Sequence, residues 1–213
     1  IKTIIKTTVY KHFCGGETIQ ESQTTIDKLW QSSIGTILDF SAEGKESSHD
    51  FNMTLEQILS SIEKAAVSDS IPFSVFKPTG LCKFSILEKI NNNSPLSADE
   101  EIEKKDYEAR VNTICKLAFD KNISVFIDAE ESWIQDAIDS IAERMMLKYN
   151  KQKPLIYNTI QLYRKDRLAY LSSLIDHAKN NYFVGVKLVR GAYHQQEIAR
   201  AKTKNYPCPV HTV

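Results

Sequence analysis

Five times along the chain a short β-prone run gives way to a helical one, and that alternation constrains the fold more than any other feature. Parallel strands need a crossover, and a helix of a dozen or more residues supplies it, so the pattern predicts an α/β architecture with a parallel sheet. The strand candidates lie at 36–40, 72–77, 123–128, 155–161 and 184–189. Between them, Thr54-Leu55-Glu56-Gln57 reads as a capping box, and Leu55, Ile58, Leu59 and Ile62 then keep helical spacing. Asn91 to Pro95 reads as a loop. Ser97 to Glu100 caps a long helix whose buried side is marked by Ile102, Val111, Ile114 and Leu117. Ile134, Ile138, Ile141 and Met145 form the stripe of the next helix, where methionine fills core. Leu168, Leu171, Leu174 and Ile175 supply the helix after strand four.

The strands end in chemistry. Lys77, Asp128, Gln161 and Lys187 sit at or near the C-terminal ends of four of the five. An open doubly wound sheet and a (βα)8 barrel both satisfy the alternation. A barrel gathers the strand ends on one rim, and no strand here is followed by the glycine-rich dinucleotide fingerprint, so the barrel is the expected closure. A barrel of this kind takes about 250 residues and eight strands. With about five units present and an initial Ile rather than Met, the chain reads as a piece of a larger protein lacking the C-terminal part of the barrel. Residues 1–34 read as an N-terminal helical arm and 35–213 as the partial barrel.

Lys187 stands out. In VGVKLVRGAY it falls opposite Val184, Val186 and Leu188, on a strand expected to be buried on both faces, where an unpaired lysine is costly. The small turn Arg190-Gly191-Ala192 follows and lets a ligand approach the backbone, ahead of a helix at 194–204.

Composition narrows the partners. Acidic and basic residues number 27 each and the basic ones are scattered, which leaves no electrostatic footprint for nucleic acid or an anionic membrane. Cys14, Cys82, Cys115 and Cys208 lie far apart, against a metal knuckle or disulfide frame and for reduced thiols. No apolar run approaches the ~20 residues of a spanning helix.

FKPTGL, FIDAEES, TIQLYRKD and KLVRGAY, in that order and at those distances, resemble the proline dehydrogenase family, from about Gly35 onward. The runs FCGGE at 13–17 and Leu38 to Glu43 also resemble its N-terminal part. The resemblance implies FAD in a distorted (βα)8 barrel, oxidation of L-proline to Δ1-pyrroline-5-carboxylate with hydride passing to the flavin N5, and onward transfer of electrons to a membrane quinone. It implies that Lys187 lies by N5, that Asp128 and Gln161 bond the isoalloxazine edge, and that Val189, Gly191, Ala192, Tyr193 and Thr212 line the cofactor. Lys77 would hold the substrate carboxylate, and Glu43 would form half of an ion-pair gate. The family's arginine pair for that carboxylate, and the aromatic residues that cover the ring, come from a last helix not found in this sequence. Residues 1–213 alone are therefore expected to hold FAD weakly or not at all, to leave proline unoxidised and to aggregate. The implied location is cytoplasmic with peripheral contact at the inner membrane, or the mitochondrial matrix side in a eukaryote. Two alternatives stay open: a Schiff-base lyase or aldolase using Lys187, and a barrel module without catalysis.

Overall fold

The computed structural model describes residues 15–40 and 46–211. The elements are α1 (Ile19–Trp30), β1 (Ile37–Leu38), α2 (Ser48–Ala66), β2 (Phe73–Phe76), α3 (Phe84–Asn91), α4 (Ala98–Lys121), β3 (Ser124–Ile127), α5 (Ser132–Tyr149), β4 (Ile156–Gln161), α6 (Arg167–Ala178), β5 (Val186–Val189) and α7 (His194–Lys204), with one 3-10 turn, Pro78–Gly80, after β2.

All neighbouring strands are parallel, and the sheet order is β1-β2-β3-β4-β5. A doubly wound sheet reverses its strand order at a switch point, whereas a barrel adds strands in chain order. The monotone order is that of a partial barrel. Period two then sorts the side chains. Phe76, Val125, Ile127 and Ile156 join one buried cluster with Ile58, Ile62, Val111, Ile114, Ile134, Ile138 and Ile141 of the helices. On that same face Ser74 Oγ lies 2.7 Å from Ser61 Oγ of α2, and Asn158 donates to Asp139 of α5 at 2.8 Å. The opposite face carries Phe73 and Phe126, stacked with centroids 4.5 Å apart, and Tyr157 edge-on to Phe126 at 5.5 Å. Aromatic neighbours on adjacent strands add about 0.2–1 kcal/mol per pair and help set register.

The capping box of α4 forms: Ser97 Oγ accepts from Glu100 N–H at 3.3 Å, and Glu100 Oε2 accepts from Ser97 N–H at 2.8 Å. The helix stops where Asn122 turns left-handed at φ 59°. Behind β4, Asp139 and Arg167 pair at 2.6 Å and are both buried.

Several expectations need correction. Helix α2 starts six residues before Thr54. Its N-cap is Ser47, which accepts from Asp50 N–H at 3.1 Å, and Thr54 Oγ1 donates back to the Asp50 carbonyl within the helix. Helix α3 was not foreseen, and Asn91 is its last residue rather than loop. Ile102 is 58% exposed, and Leu168 is 79% exposed, so the buried sides of α4 and α6 rest on Val111, Ile114 and Leu174 instead. Strand β1 holds two residues, Ile37 and Leu38. Strand β5 is not buried on both faces: it lies at an edge of the described sheet, with Leu188 58% exposed on the helix side.

Candidate active site

The rim chemistry follows from where each strand stops. Lys77 continues β2 with extended backbone until Pro78 forces the 3-10 turn, so its side chain keeps the phase of Phe73 and Val75. Asp128 directly follows β3, and its N–H donates to the Phe76 carbonyl at 3.0 Å, which pins it beside the end of β2. Gln161 closes β4, and Lys187 lies within β5 opposite Thr159.

These four converge. Lys187 Nζ donates to Asp128 Oδ1, and Lys77 Nζ lies 3.7 Å from Asp128 Oδ2, so two ammonium groups flank one carboxylate. Lys187 Nζ also lies 5.1 Å from the centroid of the Phe126 ring, a cation–π contact on the inner face of the sheet. The three side chains are only partly exposed, at 19%, 16% and 25% for Lys77, Asp128 and Lys187. They stay open to solvent, while screening between them is reduced. Gln161 is 1% exposed: its Nε2 donates to the Glu130 carbonyl at 2.8 Å, and its Oε1 is buried with no partner. A buried acceptor without a donor costs on the order of 1–3 kcal/mol. Such an atom on a cleft wall is a place for a ligand N–H.

Together with Val189, Gly191, Ala192 and Tyr193 these residues line a cleft of about 290 Å³. Gly191 has φ +122°, and a Cβ built on it would fall 2.0 Å from the Tyr163 ring, so glycine is required there for two reasons. Pairing of β4 with β5 continues past the strands, since Leu162 and Tyr163 donate to the carbonyls of Val189 and Arg190 at 2.8 and 2.9 Å. That extension holds the turn in place. A second depression of about 380 Å³ is bordered by Asp99, Glu100, Glu103 and Asp106, a charge pattern unsuited to an acidic ligand.

Glu130 is a component that the strand pattern does not reveal. It is 2% exposed and accepts from Thr79 N–H at 2.9 Å and Thr79 Oγ1 at 2.5 Å. Burial pushes its carboxyl up to about 7 against those hydrogen bonds and the Lys77 charge. Its N–H donates to Gln135 Oε1 at 2.8 Å and its carbonyl receives Gln161, so one residue ties together the ends of β2, β3 and β4. Its only available sequence signal was a second acid two places after Asp128. Glu43 and Thr212 lie outside the described residues.

Comparison with known proteins bears on the chain as a whole. A family model described as proline dehydrogenase matches residues 22–213. The chain is 33% identical to proline dehydrogenase 1, mitochondrial, of Dictyostelium discoideum over 97% of its own length and 43% of the relative's. It is 32% identical to the carbapenem antibiotics biosynthesis protein CarD of Pectobacterium carotovorum, over 87% of this chain and 50% of that one. It spans about half the length, or less, of these curated relatives. Among solved structures, proline utilization A from Bdellovibrio bacteriovorus superposes with a TM-score of 0.83 at 20% identity, over 99% of this chain and 23% of that one, which shows the shared fold. With a family model covering nearly the whole chain, this protein belongs to the proline dehydrogenase family.

Proposed function

We propose that this chain supplies the part of a flavin-dependent site in which L-proline is oxidised to Δ1-pyrroline-5-carboxylate. The observation that carries the proposal is the pair of lysines flanking Asp128 beside the partnerless Gln161 Oε1. An isoalloxazine ring has an edge that both donates and accepts hydrogen bonds, and the residues present fit it. Gln161 Oε1 offers the buried acceptor, and Gly191 and Ala192 line the cleft in which a flat ligand would lie. FAD, when bound, supplies the two-electron acceptor.

The protein's own groups then divide the work. Lys187 brings a positive charge to the place where negative charge develops as the substrate is oxidised, and Asp128 fixes that ammonium in one position. Lys77 meets the substrate carboxylate as a point charge, which orients less firmly than a bidentate arginine would. Glu130 holds the Lys77 turn through Thr79 and the Gln161 amide through its carbonyl. Val189 and Tyr193 border the cleft. On the resemblance alone, Glu43 remains the proposed gate and Thr212 a proposed cofactor contact. Onward electron transfer to a quinone, with peripheral membrane contact in a bacterial or mitochondrial setting, belongs to the same proposal. Among the described residues no helix is long and apolar enough to cross a membrane.

The Schiff-base reading requires a neutral amine on Lys187. In this structure Lys187 Nζ is engaged with Asp128 Oδ1, which turns the nitrogen toward a carboxylate rather than leaving it open to a carbonyl. The test is proline-dependent reduction of a soluble quinone by the full-length protein, run beside borohydride treatment in the presence of carbonyl substrates. Quinone reduction without a trapped adduct supports the proposal. A lysine adduct with no quinone reduction refutes it.

A further inference from the structure

Helix α5 begins at Ser132 with no capping side chain from its own N-cap residue, Glu131. The first N–H groups of a helix need acceptors, and a buried helix start without them is unfavourable. Here the acceptor comes from another helix, 65 residues further along the chain. Glu197, in the first turn of α7 and fully buried, accepts from Ser132 N–H and from Ser132 Oγ, each at 2.6 Å. A carboxyl group at a helix N-terminus also suits the helix dipole.

What this bond joins matters more than the cap itself. Four residues before Ser132 stands Asp128. Four residues before Glu197 stands Tyr193, whose carbonyl accepts the Glu197 N–H at 2.9 Å. Asp128 and Ala129 form one wall of the cleft, and Gly191 to Tyr193 form another. The Glu197–Ser132 contact therefore spans from the loop after β3 to the turn after β5. A second tie runs in parallel: Arg200, one turn further along α7, pairs with Glu88 of α3 and stacks 4.3 Å from the Trp133 ring centroid. That second tie holds α7 against α3 and α5 but is partly exposed, so it anchors the helix without fixing the turn at its N-terminal end.

We infer that Glu197 is a positioning residue: through Ser132 it sets the separation of the Asp128 loop and the Gly191–Tyr193 turn, and so the width of the cleft that receives the flat ring. The consequence for ligand rests on the function proposed above, while the coupling of the two loops does not.

The test uses the full-length protein and three substitutions. Glu197→Gln keeps the shape but turns one acceptor into a donor facing Ser132. Ser132→Ala removes only the hydroxyl bond. Ile138→Val shortens a buried side chain of α5 away from the cleft, at a cost of about 0.5–1.5 kcal/mol, and serves as the control for destabilisation alone. Amide hydrogen exchange is read without cofactor, and affinity for added FAD is read by quenching of flavin fluorescence. We expect Glu197→Gln to raise exchange in 128–132 and 189–193 together and to weaken FAD binding about tenfold, the equivalent of one hydrogen bond. Ser132→Ala should follow in the same direction and less far, and Ile138→Val should change neither. Exchange rising in only one of the two loops, or in neither, overturns the inference, as does an equal loss of FAD affinity in Ile138→Val. If no variant and no parent protein binds FAD, the functional proposal fails, and the exchange pattern still decides the coupling.

Discussion

Thr79 holds Glu130 with two hydrogen bonds from one residue, its N–H at 2.9 Å and its hydroxyl at 2.5 Å, and the carboxyl so held is buried beneath the rim. Burial dominates over those bonds and raises the carboxyl from 4.5 to about 7. A folded-state value above the unfolded one means a contribution to stability that is complete below about 4.5 and lost as pH rises through about 7. Relative to Glu130→Gln, the parent protein should lose about 3 kcal/mol of unfolding free energy between pH 4.5 and pH 8. Urea denaturation of both proteins at the two pH values checks this. Parallel pH dependence would assign the change to other groups.

Lys187→Met removes the charge nearest the proposed reaction and leaves Asp128 with Lys77 as its remaining ion-pair partner. An interaction that strengthens as charge develops acts on the rate more than on binding, so flavin reduction by proline should slow on the order of 10²-fold with a smaller change in proline affinity. Rapid mixing separates the two. A parent-like reduction rate would remove Lys187 from the mechanism.

Lys77→Ala should act differently. The substrate carboxylate carries the same charge before and during reaction, so the loss should appear as a raised KM at nearly constant kcat. A lowered kcat at unchanged KM would reverse the assignment.

Gly191→Ala places a methyl group where the Tyr163 ring lies and imposes a side chain at φ +122°. The strain costs on the order of 1–3 kcal/mol and displaces either the turn or the ring. A lowered thermal midpoint together with loss of flavin binding is expected. Full retention of both would show that the turn relaxes freely.

The parts of the site legible in the sequence were those governed by strand period. Lys187 opposite Val186 and Leu188, and Asp128 after Val125 and Ile127, follow from alternation alone, because a pleated strand sends neighbouring side chains to opposite faces. The missing parts depend on partners distant in sequence. Glu130 finds Thr79 across 51 residues and Glu197 finds Ser132 across 65, and no local pattern encodes such a meeting. Helix starts failed for a different reason. Ser47 and Thr54 are both acceptable caps one after the other, and the choice fell to the burial of Phe51 under Arg110 of α4 and of Ile58 in the main core rather than to the cap itself. Helix α3, eight residues long between two turn-rich runs, carries too few turns for its periodicity to register.

The most direct test of the account is the visible spectrum of the full-length protein under anaerobic conditions, before and after addition of L-proline. The account predicts an oxidised flavin band that bleaches with proline in the parent, and only slowly in Lys187→Met. A colourless protein, or a flavin band that proline leaves unchanged, would contradict it.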